Sequence, residues 1–327
     1  MTLYVWLGLS SGVAAMLLTP LVGRASTALG LVDAPGGRKI HARTVPRLGG
    51  VAVVLAACLA LAGVTVMFDI DPSLFSAMRA FVIAGAIIFV VGVVDDVRGL
   101  GPGTKLLCEC VAAIVMMRSG LLIERVTLFG NTWPLHWLAW PVTAAWLVGV
   151  TNAFNLIDGV DGLAAGIVTL AGAACASILV VRGHTPEAML LTAFVGAYLG
   201  FLRFNFSPAS IFLGDGGSLL AGFLLAATAI TGWQKGATAL ATAVPLLLFA
   251  VPIADSAFAV LRRSLTRPAD GRTLMATLRQ IAQPDRAHIH HRLLALGWSE
   301  RRTVIMLYAI TAVLSLIAVA TADVAAP

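Results

Sequence analysis

Sixteen acids are spread through 327 residues, and five of them, Asp95, Asp96, Asp158, Asp161 and Asp215, stand at the edges of long apolar runs. Clustered carboxylates with water and phosphate oxygens form the hard oxygen shell that Mg²⁺ prefers. A neighbouring carboxylate can then serve as a base or position a nucleophile. The adjacent pair Asp95 and Asp96 repels itself unless cations are close, and Arg98 and Lys105 follow within ten residues. The stretch TNAFNLIDGVDGLAAG (151–166) adds two amides, Asn152 and Asn155, to Asp158 and Asp161. In FNFSPASIFLGDGGS (204–218), Asp215 lies among Gly214, Gly216 and Gly217, which permit close backbone approach at a helix start whose amides favour phosphate. In PDRAHIHHRL (284–293), His288, His290 and His291 accompany Arg286 and Arg292. His288 and His290 would diverge on a helix and no cysteine is near, so anion binding is the better reading than zinc.

The elements that position these residues are membrane helices. Hydrophobic residues make up 59% of the chain, charged residues 12%, and the mean hydropathy is +0.93, which is the composition of an integral membrane protein. Runs such as VAVVLAACLALAGVTVMF (51–68) are apolar on every face, as spanning helices are and barrel strands are not. The expected fold is an all-α polytopic integral membrane protein with about ten transmembrane helices, near 3–23, 50–68, 77–94, 104–120, 136–152, 163–181, 187–203, 217–232, 237–261 and 303–322. The first run lacks the basic start and small-residue cleavage site of a signal peptide and reads as a span. One membrane domain, 1–327, is expected, with 262–302 forming a basic, His-rich loop within it.

Charge sets the expected topology. Seventeen Lys and Arg residues fall in the loops after odd-numbered spans and five fall on the opposite face, which puts the former in the cytoplasm and both termini outside. All the unusual polar segments (33–50, 95–105, 152–161, 205–218 and 285–292) then share the cytoplasmic face, where their loops can converge. The net charge of +6 comes without any nucleic-acid motif, so the lipid bilayer and not nucleic acid is the expected partner. The outer loop 121–136 has the turn and aromatic residues of an interfacial hairpin. Cys58, Cys108, Cys110 and Cys175 lie in apolar runs and read as packing residues. Glu109 and Asp255 are costly near the membrane. Asp255 is expected to be buried against cytoplasmic cations. The spacing of Gly196 and Gly200 permits helix packing within or between chains, which leaves a homodimer open.

Five segments in order, RKIHARTVPRLGG, VVDDVRGLGPGTK, TNAFNLIDGVDGLAAG, FNFSPASIFLGDGGS and PDRAHIHHRL, resemble the polyprenyl-phosphate N-acetylhexosamine-1-phosphate transferase family. The His pattern is similar to the branch that starts O-antigen, teichoic acid or enterobacterial-antigen synthesis. The resemblance implies transfer of a sugar 1-phosphate, foremost GlcNAc-1-phosphate, from a UDP-N-acetylhexosamine to undecaprenyl phosphate with release of UMP, in the bacterial plasma membrane. It implies Mg²⁺, with Mn²⁺ as a substitute. By the same pattern, Asp95 and Asp96 correspond to the pair that serves the nucleophilic phosphate and metal, and Asp215 to a metal ligand. Asn152, Asn155, Asp158 and Asp161 correspond to the nucleotide site, with Asn205 and Phe212 near uridine. His288, His290, His291 and Arg292 correspond to the loop that meets the sugar diphosphate. Lys39, His41 and Lys105 correspond to phosphate or nucleotide contacts. The rivals are a transferase of the peptidoglycan precursor phospho-MurNAc-pentapeptide and a non-enzymatic transporter of lipid or sugar nucleotide.

Overall fold

The computed structural model describes residues 1–33, 44–71, 73–128, 131–233, 239–265 and 289–324. The helices are α1 (Thr2–Ala28), α2 (Gly49–Met67), α3 (Ser73–Arg98), α4 (Pro102–Arg118), α5 (Ala139–Ile157), α6 (Leu163–Val181), α7 (Thr185–Asn205), α8 (Gly214–Trp233), α9 (Ala239–Leu248), α10 (Ala250–Leu265), α11 (Ile289–Ala295) and α12 (Glu300–Val324). Seven stretches are long and apolar enough to cross a membrane: Thr2–Ala28, Gly49–Met67, Ser76–Arg98, Leu163–Val181, Thr185–Asn205, Gly214–Gly232 and Glu300–Ala322. The all-helical membrane architecture is as expected, but only these seven of the ten anticipated spans meet that criterion among the described residues. The ninth expected span is divided into α9 and α10. Pro252 has no N–H to give to Leu248, and the helix is interrupted there.

Helix starts follow from local chemistry. Pro102 and Pro186 occupy the first turns of α4 and α7, where a missing N–H costs nothing. Gly162 precedes α6 at φ 78° and Gly214 opens α8 at φ 77°, left-handed values that disfavour a side chain. Helix ends run further than the hydropathy alone indicates. Asp95 and Asp96 lie in the last turns of α3, Asn152 and Asn155 in the last turns of α5, and Asn205 ends α7.

The bundle is organised around α8, whose spanning window is 89% buried, against 22% for α1. It packs against α2, α3, α5, α6 and α7. Glycines let the neighbours come close: a Cβ on Gly50 of α2 would lie 2.6 Å from the Gly217 Cα, and one on Gly92 of α3 would lie 2.5 Å from the Gly216 Cα. Gly196 and Gly200 are filled from within the same chain, by the backbone of Gly8 and Gly12 on α1. That intramolecular crossing removes the small-residue argument for a homodimer.

Two short antiparallel pairs complete the fold. β1 (Val32–Asp33) pairs with β2 (Val45–Pro46), with Val32 opposite Pro46. β3 (Arg125–Leu128) pairs with β4 (Asn131–Pro134) as the hairpin expected in the outer loop. The four cysteines are free thiols, with Cys175 buried against the Thr228 hydroxyl.

Candidate active site

The ends of α3, α4, α5 and α8 meet where α8 begins. The Lys105 ammonium on α4 is 2.8 Å from Oδ2 of Asp95 and 2.8 Å from Oδ2 of Asp215. These two carboxylates come from helices 120 positions apart and face a single cation. The other oxygen of Asp95 accepts the Leu100 amide, which ties the carboxylate to the turn between α3 and α4.

Asp96 has a different task from its neighbour. Its Oδ1 accepts the Asp215 amide at 2.9 Å and its Oδ2 accepts the Gly216 amide at 3.0 Å. A carboxylate on the first amides of a helix satisfies donors that have no partner within the helix and offsets the positive end of its dipole. These two amides are capped from within the protein.

The segment 151–166 grips the same helix start. Asn155 Oδ1 accepts the Ser218 hydroxyl at 2.7 Å. The Gly214 amide donates to Asp158. Asp161 Oδ2 accepts the Ala209 amide at 2.7 Å, in the loop leading to α8. Burial, followed by the nearby carboxylates of Asp215, Asp96 and Asp161, holds the Asp158 carboxyl well above the usual carboxylate range, and the Gly214 amide offsets part of this. Asn152, one turn earlier on α5, donates to Glu109 and to the Val148 carbonyl at 2.9 Å.

The approach to α8 is held from the other side as well. Gly49 N–H donates to the Phe212 carbonyl at 2.9 Å and Gly50 N–H to the Leu213 carbonyl at 2.8 Å, while Phe212 N–H donates to the Pro46 carbonyl at 2.8 Å. Arg47 pairs with Asp33 at the β1–β2 junction. Asn205 is buried, donating Nδ2 to the Ile211 carbonyl at 3.0 Å and leaving Oδ1 without a partner among the described residues. Phe212 is half-buried. Tyr198 donates to the Gly217 carbonyl at 2.7 Å, and Tyr308 of α12 donates to the Gly162 carbonyl at 2.5 Å.

Of the sequence-assigned residues, Asp95, Asp96, Lys105, Asn155, Asp158 and Asp215 are thus joined around the first turn of α8. Asn152, Asp161, Asn205 and Phe212 form its surroundings. Lys39, His41 and His288 lie outside the described residues. α11 carries His290, His291 and Arg292, with Arg292 exposed. Its first amide, that of Ile289, donates to Asp255 at 2.5 Å. Asp255 is buried as expected, at 2% exposure. The supports from Glu109, Ser218, Tyr198 and Tyr308 had not been assigned. Glu109 could have been noticed one turn after Lys105 on the same helix face, and Ser218 one turn after Gly214.

Carboxylates and a lysine gathered at one end of the central helix of a membrane bundle make a polar site suited to a cation and to phosphate oxygens. Residues 78–233 match the profile of glycosyl transferase family 4. A Bacillus subtilis (strain 168) protein described as a probable undecaprenyl-phosphate N-acetylglucosaminyl 1-phosphate transferase is 34% identical over 306 residues, covering 93% of this chain and 81% of that one. A decaprenyl-phosphate N-acetylglucosaminephosphotransferase of Mycobacterium tuberculosis (strain ATCC 25618 / H37Rv) is 33% identical over 92% of this chain and 78% of its own. The undecaprenyl-phosphate alpha-N-acetylglucosaminyl 1-phosphate transferase of Escherichia coli (strain K12) is 28% identical over 89% and 76%. The chain belongs to glycosyl transferase family 4, the family of these polyprenyl-phosphate sugar-1-phosphate transferases.

Proposed function

We propose that the protein transfers GlcNAc-1-phosphate from UDP-GlcNAc to undecaprenyl phosphate, releasing UMP and leaving a lipid-linked sugar pyrophosphate. The observation that carries this reading is the meeting of Asp95, Asp215 and Lys105 at the head of a helix in a membrane bundle. The names of the relatives supply the acceptor class and the sugar. In the reaction, an oxygen of the lipid phosphate attacks the phosphorus next to the sugar. The new P–O bond forms as the bond to UMP breaks, and UMP keeps the bridging electron pair. The lipid phosphate is already ionised near neutral pH, so no general base is required.

Two phosphorylated substrates repel, and the work of the site is to hold them in line and offset their charge. Lys105 supplies one fixed positive charge at the carboxylate pair. Mg²⁺ fits the same place, because it takes one or two carboxylates and completes its shell with water and phosphate oxygens. Asp95 and Asp215 already present oxygens to one cation, while Asp96 is engaged with the helix amides. When bound, Mg²⁺ would neutralise charge on the phosphates. Asn155, Asp158 and Asp161 hold the floor of the site against α8, and the loop bearing His288, His290, His291 and Arg292 supplies cations for the diphosphate.

The distribution of seventeen basic residues against five supports a site on the cytoplasmic face of the bacterial plasma membrane, with both termini outside. UMP release from purified protein, undecaprenyl phosphate and Mg²⁺ tests the reading. UMP is expected from UDP-GlcNAc and not from UDP-MurNAc-pentapeptide. Turnover confined to the pentapeptide donor would overturn the choice of sugar.

A further inference from the structure

Two acids at 2% exposure, Glu109 and Asp255, have no part in the reaction as read above. Glu109 lies one helical turn beyond Lys105 on α4, and Asn152 lies about one turn before Asn155 on α5. The Glu109–Asn152 pair therefore sits one turn deeper in the bundle than the groups gathered around Asp215. Asn152 Nδ2 has two hydrogens, and both are committed, one to Glu109 Oε2 and one to the Val148 carbonyl. Among the described residues nothing donates to the Asn152 Oδ1. The amide cannot turn over without losing both bonds, so this half-buried side chain can offer a ligand an acceptor only.

We propose that Glu109 is a positioning residue for the sugar nucleotide, acting through Asn152. It locks the amide so that Oδ1 receives a hydroxyl or amide hydrogen of the bound UDP-sugar. This rests on the reading of the protein as a transferase of UDP-sugars. Without Glu109 as its acceptor the Asn152 amide is free to rotate, and a site built to accept from the ligand would then meet the ligand's donors with its own N–H. The burial of Glu109 follows from the same bond: a carboxylate in the bundle must be paired, and the amide supplies the pair.

The test measures UDP-GlcNAc affinity by calorimetry and, separately, KM for UDP-GlcNAc and for undecaprenyl phosphate. Glu109→Leu is expected to weaken donor binding by about tenfold, with the lipid KM unmoved. Glu109→Gln retains an acceptor for the Asn152 N–H and is expected to recover most of the loss, which a purely structural role for the charge would not do. If Glu109→Leu does not fold, Asn152→Ala carries the test from the other partner. It is expected to weaken donor binding to a similar degree, with the lipid KM unmoved. Unchanged donor affinity in Glu109→Leu, or in Asn152→Ala where that variant carries the test, would overturn the inference. If the native protein binds UDP-GlcNAc but forms no UMP, the transferase reading alone falls. If it binds no UDP-GlcNAc, both fall.

Discussion

Replacing Lys105 with Met keeps most of the unbranched side chain and removes the charge that joins α3, α4 and α8. The ammonium makes two contacts of 2.8 Å, and the side chains involved are 22%, 14% and 27% exposed for Lys105, Asp95 and Asp215. Exposed ion pairs contribute about 0.2–1 kcal/mol, while breaking a buried one costs about 3–5 kcal/mol. This cluster lies nearer the buried limit, and its loss leaves two carboxylates facing each other, so a cost of about 2–3 kcal/mol is expected. A divalent cation can take the vacated place. At about one hundred times its Kd, Mg²⁺ stabilises by about 2.7 kcal/mol, enough to cancel the loss. Thermal unfolding in one detergent, with and without Mg²⁺, therefore separates the two. Lys105→Met should unfold at lower temperature without metal and show a larger Mg²⁺ shift than the native protein. Equal unfolding temperatures without metal, or equal Mg²⁺ shifts, would refute the assignment of Asp95 and Asp215 as a shared cation site.

Five further substitutions at four positions probe the scaffold. Asp96→Ala strands the Asp215 and Gly216 amides and should cost about 1–3 kcal/mol with loss of turnover, whereas Asp96→Asn keeps an acceptor and should cost less in the same melts. Gly50→Ala drives a methyl group against Gly217 and should destabilise by about 1–3 kcal/mol, while Gly63→Ala, with nothing within 4 Å, should leave the unfolding temperature unchanged. Asp255→Ala removes the acceptor for the Ile289 amide at the start of the His-bearing helix and should raise KM for the sugar nucleotide more than it lowers stability, as read from kinetics beside melting curves.

Much of the site was legible because scarce polar groups at the edges of apolar helices are costly and mark their own positions. Asp95, Asp158 and Asp215 stood out for this reason, and the bundle does bring them to one helix end. Their partners were not legible. Asp96 caps amides 119 and 120 positions away, and no local pattern distinguishes such a cap from a metal ligand. The glycines of the 214–217 segment were legible as points of close approach, but what approaches is Gly50 and Gly92 of neighbouring helices. Helix ends were misplaced by several residues because hydropathy falls before the backbone hydrogen bonds stop, as at Asp95 in α3 and Asn155 in α5. The break between α9 and α10 had a local cause in Pro252, which hydropathy does not register.

The central claim is that the phosphate next to the sugar travels with it. UDP-GlcNAc labelled at that phosphorus, incubated with the protein, undecaprenyl phosphate and Mg²⁺, distinguishes this from transfer of the sugar alone. The expected result is label in the organic-soluble lipid and unlabelled UMP in the water phase. Label remaining in the water phase as UDP, with sugar in the lipid, would contradict it.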